Sequence, residues 1–393
     1  MVDRDNLLLG FNRLLYPFAC FLGIVEILFH ILLNNLWGFS MQCHLVTGGA
    51  GFIGSCYALL ARKAGIRVVN LDKLTYSGNL GNLRDLEGDS DHIFVHGDIG
   101  NTELTRQLLA EYTPDAVVNF AAESHVDRSI HDPEIFVKTN VLGTVSLLQT
   151  SLQYWRQLDE PKKERFKFLH VSTDEVYGAL KPDEPPFTEK TPYAPNSPYS
   201  ASKASADHFA RAFFETYSMP VLITNCSNNY GPRQFPEKLI PLTLVNALAG
   251  KEIPIYGTGE NIRDWLHVED HCLAIMRVIN QGQNGLTYAI GGRAERTNIE
   301  VVRAICRILD ELVPSSEGPY ERLMKFVSDR LGHDWRYAID SSFIEESLDW
   351  QQQHSFEQGL RETVEWYLDN QDWVEHVQTG AYREWLEKNY VNR

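Results

Sequence analysis

From residue 43 onward the chain repeats one pattern: a short apolar run, a turn of small or acidic residues, then apolar side chains at helical spacing. Apolar, β-branched runs without polar alternation read as strands buried on both faces of a parallel sheet. Such runs lie at 43–46, 66–71, 93–96, 116–120 and 166–171. Between them the periodicity predicts helices from the turn at 47–54 to Lys63, over 102–112 and over 133–158, and another long helix opens at Tyr199. Strands alternating with helices predict an α/β fold with a Rossmann-type, doubly wound parallel sheet. Residues 41–230 are expected to form the dinucleotide-binding half. Residues 231–393 are expected to form mainly a smaller C-terminal α/β region for the substrate, with some elements returning to the sheet.

The first turn carries chemistry. Thr47-Gly48-Gly49-Ala50-Gly51-Phe52-Ile53-Gly54 follows a strand and opens a helix, and the next strand ends at Asp72. In such a unit Gly48 permits the tight turn, Gly51 lets backbone approach a pyrophosphate, and Gly54 allows close helix–strand packing. Phosphates rest on the helix N-terminus, where free N–H groups and the dipole favour negative charge. A carboxylate at Asp72 suits the ribose hydroxyls and repels a 2′-phosphate, which favours NAD over NADP. Ala121 and Ala122 at another strand end allow close approach of a cofactor. Asp98 suits either an adenine contact or a cap for the following helix.

Ligands of open α/β sheets bind beyond the carboxyl ends of the strands. The strand at 166–171 runs into Ser172-Thr173-Asp174-Glu175, a hydroxyl beside two adjacent carboxylates, a composition suited to moving protons. Tyr199 and Lys203 are four apart and project from one helical face. With a dinucleotide turn upstream they read as a tyrosine base whose phenol is lowered by the lysine charge, the lysine also holding the ribose. A proline-rich loop over 181–198 is expected to lie over this site.

A net charge of −16 without any basic run excludes a nucleic-acid backbone as partner. The six cysteines show no C-x-x-C or Cys/His spacing, so they read as reduced, buried thiols, and no metal site is expected. Residues 14–39 are apolar and long enough to cross a bilayer, but include Pro17, Glu26, His30, Asn34 and Asn35. Arg4 and Arg13 would hold the N-terminal end in the cytoplasm and send the rest across, away from its dinucleotide. The expectation is therefore a cytoplasmic protein starting at Met41. A membrane anchor is the alternative reading of residues 1–40.

Taken together, TGGAGFIG, DKLTY, AAESHVDRSI, STDEVYG, YSASK, NCSNNYGP, FPEKLIP, RDWLHVEDH and GHDWRY resemble the extended short-chain dehydrogenase/reductases. Within that NAD-dependent epimerase/dehydratase family the resemblance is to the 4,6-dehydratases of dTDP-glucose, and it runs from Met41 to about Tyr390. It implies tightly bound NAD that is reduced and reoxidised in each turnover. It further implies that Tyr199 takes the proton from the glucose 4-hydroxyl while Thr173 bonds the same oxygen. Glu175 would remove the C5 proton, Asp174 would protonate the departing 6-hydroxyl, and Lys203 would complete the catalytic set. Implied cofactor contacts add Phe52, Ile53, Lys73, Leu74, Thr75, Ile99, Phe120, Ser124, Thr139 and Asn229 to the residues already named.

On the substrate side the resemblance implies Ser124, Thr173, Asn228, Lys238, Leu239, Pro254, Ile255, Tyr256, Arg263, Asn298, Asp329 and His333. It also implies a homodimer built on a four-helix bundle from the helices near 133–158 and 199–217, and a place in dTDP-rhamnose synthesis for cell-surface polysaccharide. Leu331 and Trp335 depart from the family's usual proline and arginine, which leaves the nucleotide base open between dTDP and UDP. A nucleotide-sugar 4-epimerase is the nearest alternative activity, and a non-catalytic dinucleotide-binding regulator is the alternative of another class.

Overall fold

The computed structural model describes residues 43–329 and 332–378. The segment 1–40, the expected start at Met41, Leu331 and the far end of the resemblance near Tyr390 lie outside the described residues. The strands are β1 (Cys43–Thr47), β2 (Arg67–Asp72), β3 (His92–His96), β4 (Ala116–Asn119), β5 (Lys167–Thr173) and β6 (Val221–Cys226). They continue with β7 (Asn228–Tyr230), β8 (Ile253–Tyr256), β9 (Ile262–His267), β10 (Thr287–Ile290), β11 (Glu295–Thr297) and β12 (Met324–Val327). Seven of them form one parallel sheet in the order β3-β2-β1-β4-β5-β6-β10. Chain direction across the sheet reverses between β1 and β4, which opens a crevice at their carboxyl ends.

Neighbouring residues of each strand point to opposite faces, and both faces are covered. Val46, Leu169 and Leu222 pack with α1 (Phe52–Lys63) on one side. Leu45, Phe168 and Ile223 pack on the other with α2 (Thr102–Tyr112) and with helices described below. The path from β4 to β5 runs through α3 (Val126–His131), α4 (Pro133–Phe136), a π-helical stretch at Val137–Gly143, α5 (Thr144–Gln157) and α6 (Glu160–Arg165). The helix expected over 133–158 is thus present but contains a widened turn, which apolar periodicity does not reveal.

The helix after β5 is α7 (Pro198–Tyr217), started by a Ser197/Ser200 capping box with Pro198 in its first turn. This start puts Tyr199 in the first turn and Lys203 directly above it. A second core joins α8 (Leu239–Leu248), β8, β9 and α10 (Asn298–Leu312) to α12 (Phe356–Asp369). Between β9 and β10 lies α9 (Val268–Gln281), on the α1 side of the large sheet. The short α11 (Ser342–Leu348) precedes α12, and α13 (Gln371–Val377) follows it. The three-stranded sheet β7-β9-β11 and the pair β8-β12 face the carboxyl ends of the large sheet across a cavity. Among the described residues no helix is long and apolar enough to cross a membrane.

Candidate active site

The cavity measures about 420 Å³ and is walled by the ends of β1, β4, β5 and β6 on one side and by α8, β8, β9 and α10 on the other. Its cofactor end is built from the glycine turn. Gly48 has φ +70°, and a Cβ there would come 2.7 Å from the Ala121 nitrogen. At Gly54 a Cβ would stand 2.3 Å from the Gly48 oxygen, so only glycine brings α1 this close to β1. Gly51 precedes α1 without any side-chain cap, leaving the first N–H groups of that helix to a ligand.

The Asp72 carboxylate accepts from the Ala50 nitrogen at 2.9 Å and the Leu74 nitrogen at 2.8 Å. Burial raises its pKa against those two bonds. Each oxygen keeps a lone pair for a ribose hydroxyl. Leu74 is not on the cavity wall and serves instead through its backbone. Asp98 pairs with Lys73 at 2.7 Å and accepts from the Gly100 nitrogen. Burial raises it, but the Lys73 and Gly100 bonds outweigh that and hold it below its ordinary value. It does not cap α2, because Asn101 does so through the Leu104 nitrogen.

At the end of β5 the Thr173 hydroxyl donates to Asp174 Oδ1 at 3.2 Å and accepts from the Glu175 nitrogen at 3.3 Å. Asp174 is 2% exposed, and its Oδ2 faces no hydrogen-bond partner among the described residues. Burial first, then the charges of Glu175 and Asp264, push its carboxyl far above the usual range, with Thr173 and Arg263 opposing. Asp264 is itself pushed up to about 6 by burial, although the Gly292 and Ala294 nitrogens donate to it.

Tyr199 and Lys203 are both buried beside this turn. Burial, Glu175 and Cys226 raise the Tyr199 phenol, and a hydrogen bond with Thr173 opposes them. The lowering expected from Lys203 is therefore not what the protein's own groups produce. Lys203 Nζ donates to the Val171 carbonyl at 2.7 Å, and burial lowers its pKa while Asp207 supports its charge. Asp207, one turn further along α7, accepts from Ser172 Oγ at 2.8 Å, Tyr193 OH at 3.0 Å and Asn225 Nδ2 at 3.2 Å. These bonds fix the strand end that carries Thr173 and Asp174. On the π-helical stretch, Asn140 bonds the Glu123 nitrogen and carbonyl at 2.8 and 2.9 Å and Ser202 Oγ at 2.8 Å. It ties the loop after β4 to the helix of Tyr199.

The opposite wall carries the expected substrate residues. Arg263 donates to the Ile262 and Asp334 carbonyls at 2.7 and 3.0 Å and lies 4.5 Å over the Tyr337 ring. Lys238 Nζ donates to the Ser124 carbonyl at 3.0 Å, bridging the two walls. His333 is on the wall, whereas Asp329 is not and instead bonds His333 Nδ1 at 2.7 Å. Of the remaining expected cofactor and substrate residues all lie on the wall, from Phe52 and Thr139 to Asn228, Asn229, Pro254 and Asn298.

The wall also holds residues that were not anticipated, Tyr337, Glu237 and His125 among them. Tyr337 sits within a quoted motif, but nothing in its spacing announces a cavity role. Glu237 and His125 are buried together, with Glu237 accepting from Tyr76 OH at 3.1 Å and pushed up to about 7 by burial. The signal for Glu237 was a carboxylate inside an otherwise apolar run, FPEKLIP. The loop over 181–198 does not cover the cavity. It clamps the segment after Asp334, through Arg336 Nη1 to Glu184 O and Phe187 N to Ala338 O, with Phe187 packed against Tyr177. Trp335 is 40% exposed and off the wall.

These residues fit NAD: an uncapped helix N-terminus, a turn that admits backbone approach, and an acid at the ribose position. Further in, Asp174 Oδ2, Ser227 Oγ, Asn228 Oδ1 and Gln234 Oε1 are buried without hydrogen-bond partners among the described residues. Buried polar atoms are rarely left so unless a ligand or water completes them.

Comparison with known proteins agrees. The GDP-mannose 4,6 dehydratase family matches residues 45–363. The dTDP-glucose 4,6-dehydratase of Xanthomonas campestris pv. campestris (strain B100) is 58% identical, covering 87% of this chain and 98% of that protein. The dTDP-glucose 4,6-dehydratase 1 of Escherichia coli K12 is 53% identical, covering 89% and 99%. Crystal structures of dTDP-glucose 4,6-dehydratases from Bacillus anthracis, in complex with NAD, and from Streptomyces venezuelae, with NAD and TYD bound, superpose with TM-scores of 0.76 and 0.77. They are 46% and 45% identical, each covering 86% of this chain, and 99% and 100% of their own. By its sequence and its fold the chain belongs to the dTDP-glucose 4,6-dehydratases of the GDP-mannose 4,6 dehydratase family.

Proposed function

We propose that the protein is an NAD-dependent hydro-lyase that converts dTDP-glucose to dTDP-4-dehydro-6-deoxy-glucose and water. The observation that carries the reading is the buried Asp174, its pKa pushed up by its surroundings, directly beside Glu175 in the cavity of Tyr199 and Lys203. When bound, NAD supplies a reversible hydride acceptor, so the sugar is oxidised at C4 and reduced at C6 within one turnover. Gly48, Gly51, Gly54, Asp72 and Lys203 hold it. Tyr199 takes the 4-hydroxyl proton, and Thr173, on the same cavity wall, steadies the same oxygen. The 4-ketone acidifies C5–H. Glu175 removes that proton, Asp174 delivers its own to the departing 6-hydroxyl as water, and a proton goes back to C5 when C6 is reduced.

An elimination needs one carboxyl protonated and its neighbour ionised at the same pH, and different environments provide this. Asp174 is wholly buried between Glu175 and Asp264, whereas Glu175 is only partly buried. Arg263 offers a fixed guanidinium to the diphosphate, and β8 with His333 forms the nucleoside end. A sugar 4-epimerase has no use for an acid beside a base at C5–C6, so the Asp174–Glu175 pair argues against that reading.

Incubation with dTDP-glucose and no added reductant, followed by mass analysis, should show loss of one water. Parallel incubation with UDP-glucose measures the choice of base. Recovery of a C4 epimer instead of a dehydrated product would overturn the assignment. The protein is further proposed to be a homodimer. Ile135, Val137, Leu142, Phe209 and Tyr217 are large apolar residues exposed on or between the helices expected to pair. Light scattering should give twice the chain mass. The five described cysteines are buried and unpaired, which suits a reducing, cytoplasmic setting.

A further inference from the structure

Away from the cavity, three side chains from separate segments converge. His267 ends β9, His354 lies just before α12, and Glu362 is on α12. One ligand atom from each lies within 4.8 Å of the others. The two imidazole rings are 4.0 Å apart between centroids, and His354 Nε2 is 3.7 Å from Glu362 Oε2. We propose that His267, His354 and Glu362 bind one divalent transition-metal ion, zinc by the donor set, which ties α12 to the end of β9.

The second observation is at the floor of the cluster. His267 is 4% exposed, and neither of its ring nitrogens has a hydrogen-bond partner among the described residues. A buried imidazole with two unsatisfied nitrogens is costly unless something completes it.

Asp270 supplies the outer support. Its Oδ2 faces His354 Nδ1 at 3.1 Å, and its two oxygens accept the backbone N–H of Gln353 and of His354, each at 3.0 Å. A carboxylate on one imidazole nitrogen fixes the tautomer and aims the other nitrogen at a metal. Here that other nitrogen points to Glu362, 3.7 Å away, where either a proton on the imidazole or a metal ion lies between them. Gly359 makes the approach possible, since a Cβ there would stand 3.1 Å from His267 Cδ2 and 2.5 Å from Tyr230 OH. Tetrahedral zinc holds nitrogen and carboxylate ligands at about 2.0–2.2 Å, so small side-chain rotations close the site and leave one position for water. The cysteine spacing that argued against a metal site says nothing about these three residues.

The test is equilibrium dialysis of the chelator-treated full-length protein against zinc, with cobalt as a spectroscopic probe. One equivalent should bind, cobalt should give visible d–d bands, and zinc should raise the thermal midpoint. The His354→Gln/Glu362→Gln double variant changes only a half-buried and an exposed residue. It should lose at least tenfold in affinity together with the bands and the midpoint shift, and Asp270→Asn should weaken binding by about 10–100-fold. Equal zinc affinity in parent and double variant, or no uptake by the parent, overturns the proposal; in the latter case an ion pair of His354 with Asp270 and Glu362 explains the cluster.

Discussion

Replacing Asp174 with Asn removes one proton and almost no volume. If Asp174 is the acid for the departing 6-hydroxyl, the loss is that of a positioned general acid, about 10²- to 10⁴-fold. At ~1.36 kcal/mol per decade this is about 2.7–5.4 kcal/mol of barrier. The site argues for the upper end, because Asp174 is 2% exposed and no bulk water replaces it. On the proposed roles oxidation at C4 uses Tyr199 and Thr173, so reduced nicotinamide should still form on mixing with dTDP-glucose and then accumulate. Stopped-flow absorbance of the reduced nicotinamide separates that half-reaction from water loss, which mass analysis follows.

Stability offers a second readout. The folded carboxyl has a pKa raised above its unfolded value, so above the ordinary carboxyl range the unfolded chain ionises and the folded one does not. Native stability is therefore eroded as pH rises through that range. Relative to the parent, Asp174→Asn should gain stability between acid and neutral pH in urea titrations. Water loss at the parental rate would refute the assignment of roles, whatever the stability shows.

Tyr199→Phe should abolish the reduced-nicotinamide signal, with a loss of about 10²–10⁴-fold in turnover, while bound NAD is retained on gel filtration. Gly54→Ala should weaken NAD retention and lower the thermal midpoint, because the added Cβ meets the Gly48 oxygen at 2.3 Å; calorimetry with and without NAD checks both. Glu237, pushed up to about 7, gains negative charge as pH rises through neutrality in a cavity that takes an anionic nucleotide. KM for dTDP-glucose should rise above that pH in the parent and stay flatter in Glu237→Gln, as steady-state kinetics across pH would show.

Five of the seven parallel strands were legible because each is a short apolar run closed by a small or acidic residue, whereas β6 and β10 were not read. The glycine turn, Asp72 and the Tyr199–Lys203 pair followed from local spacing for the same reason. What local pattern does not carry is geometry between distant segments. The widened turn at Val137–Gly143 keeps ordinary helical composition, so nothing in its periodicity marks it. Loop 181–198 resembles a lid in composition, yet Phe187 finds a hydrophobic seat against Tyr177 and no residue of the loop lines the cavity. Asp98 lost the capping role to Asn101 because Lys73, on another strand end, claims its charge. Glu237 and Tyr337 enter the wall only through tertiary folding.

The π-helical stretch also acts as a register device. One residue more than an α-helical turn is wound in between α4 and α5, so deleting a residue from 137–143 would restore regular winding. Everything upstream would then rotate by about 100° relative to α5. Phe136 would swing off the Tyr199 ring, against which it packs edge-on at 6.3 Å between centroids, and Asn140 would release the Glu123 backbone. A change of chain length there would disassemble the active centre without touching a single residue that meets the sugar.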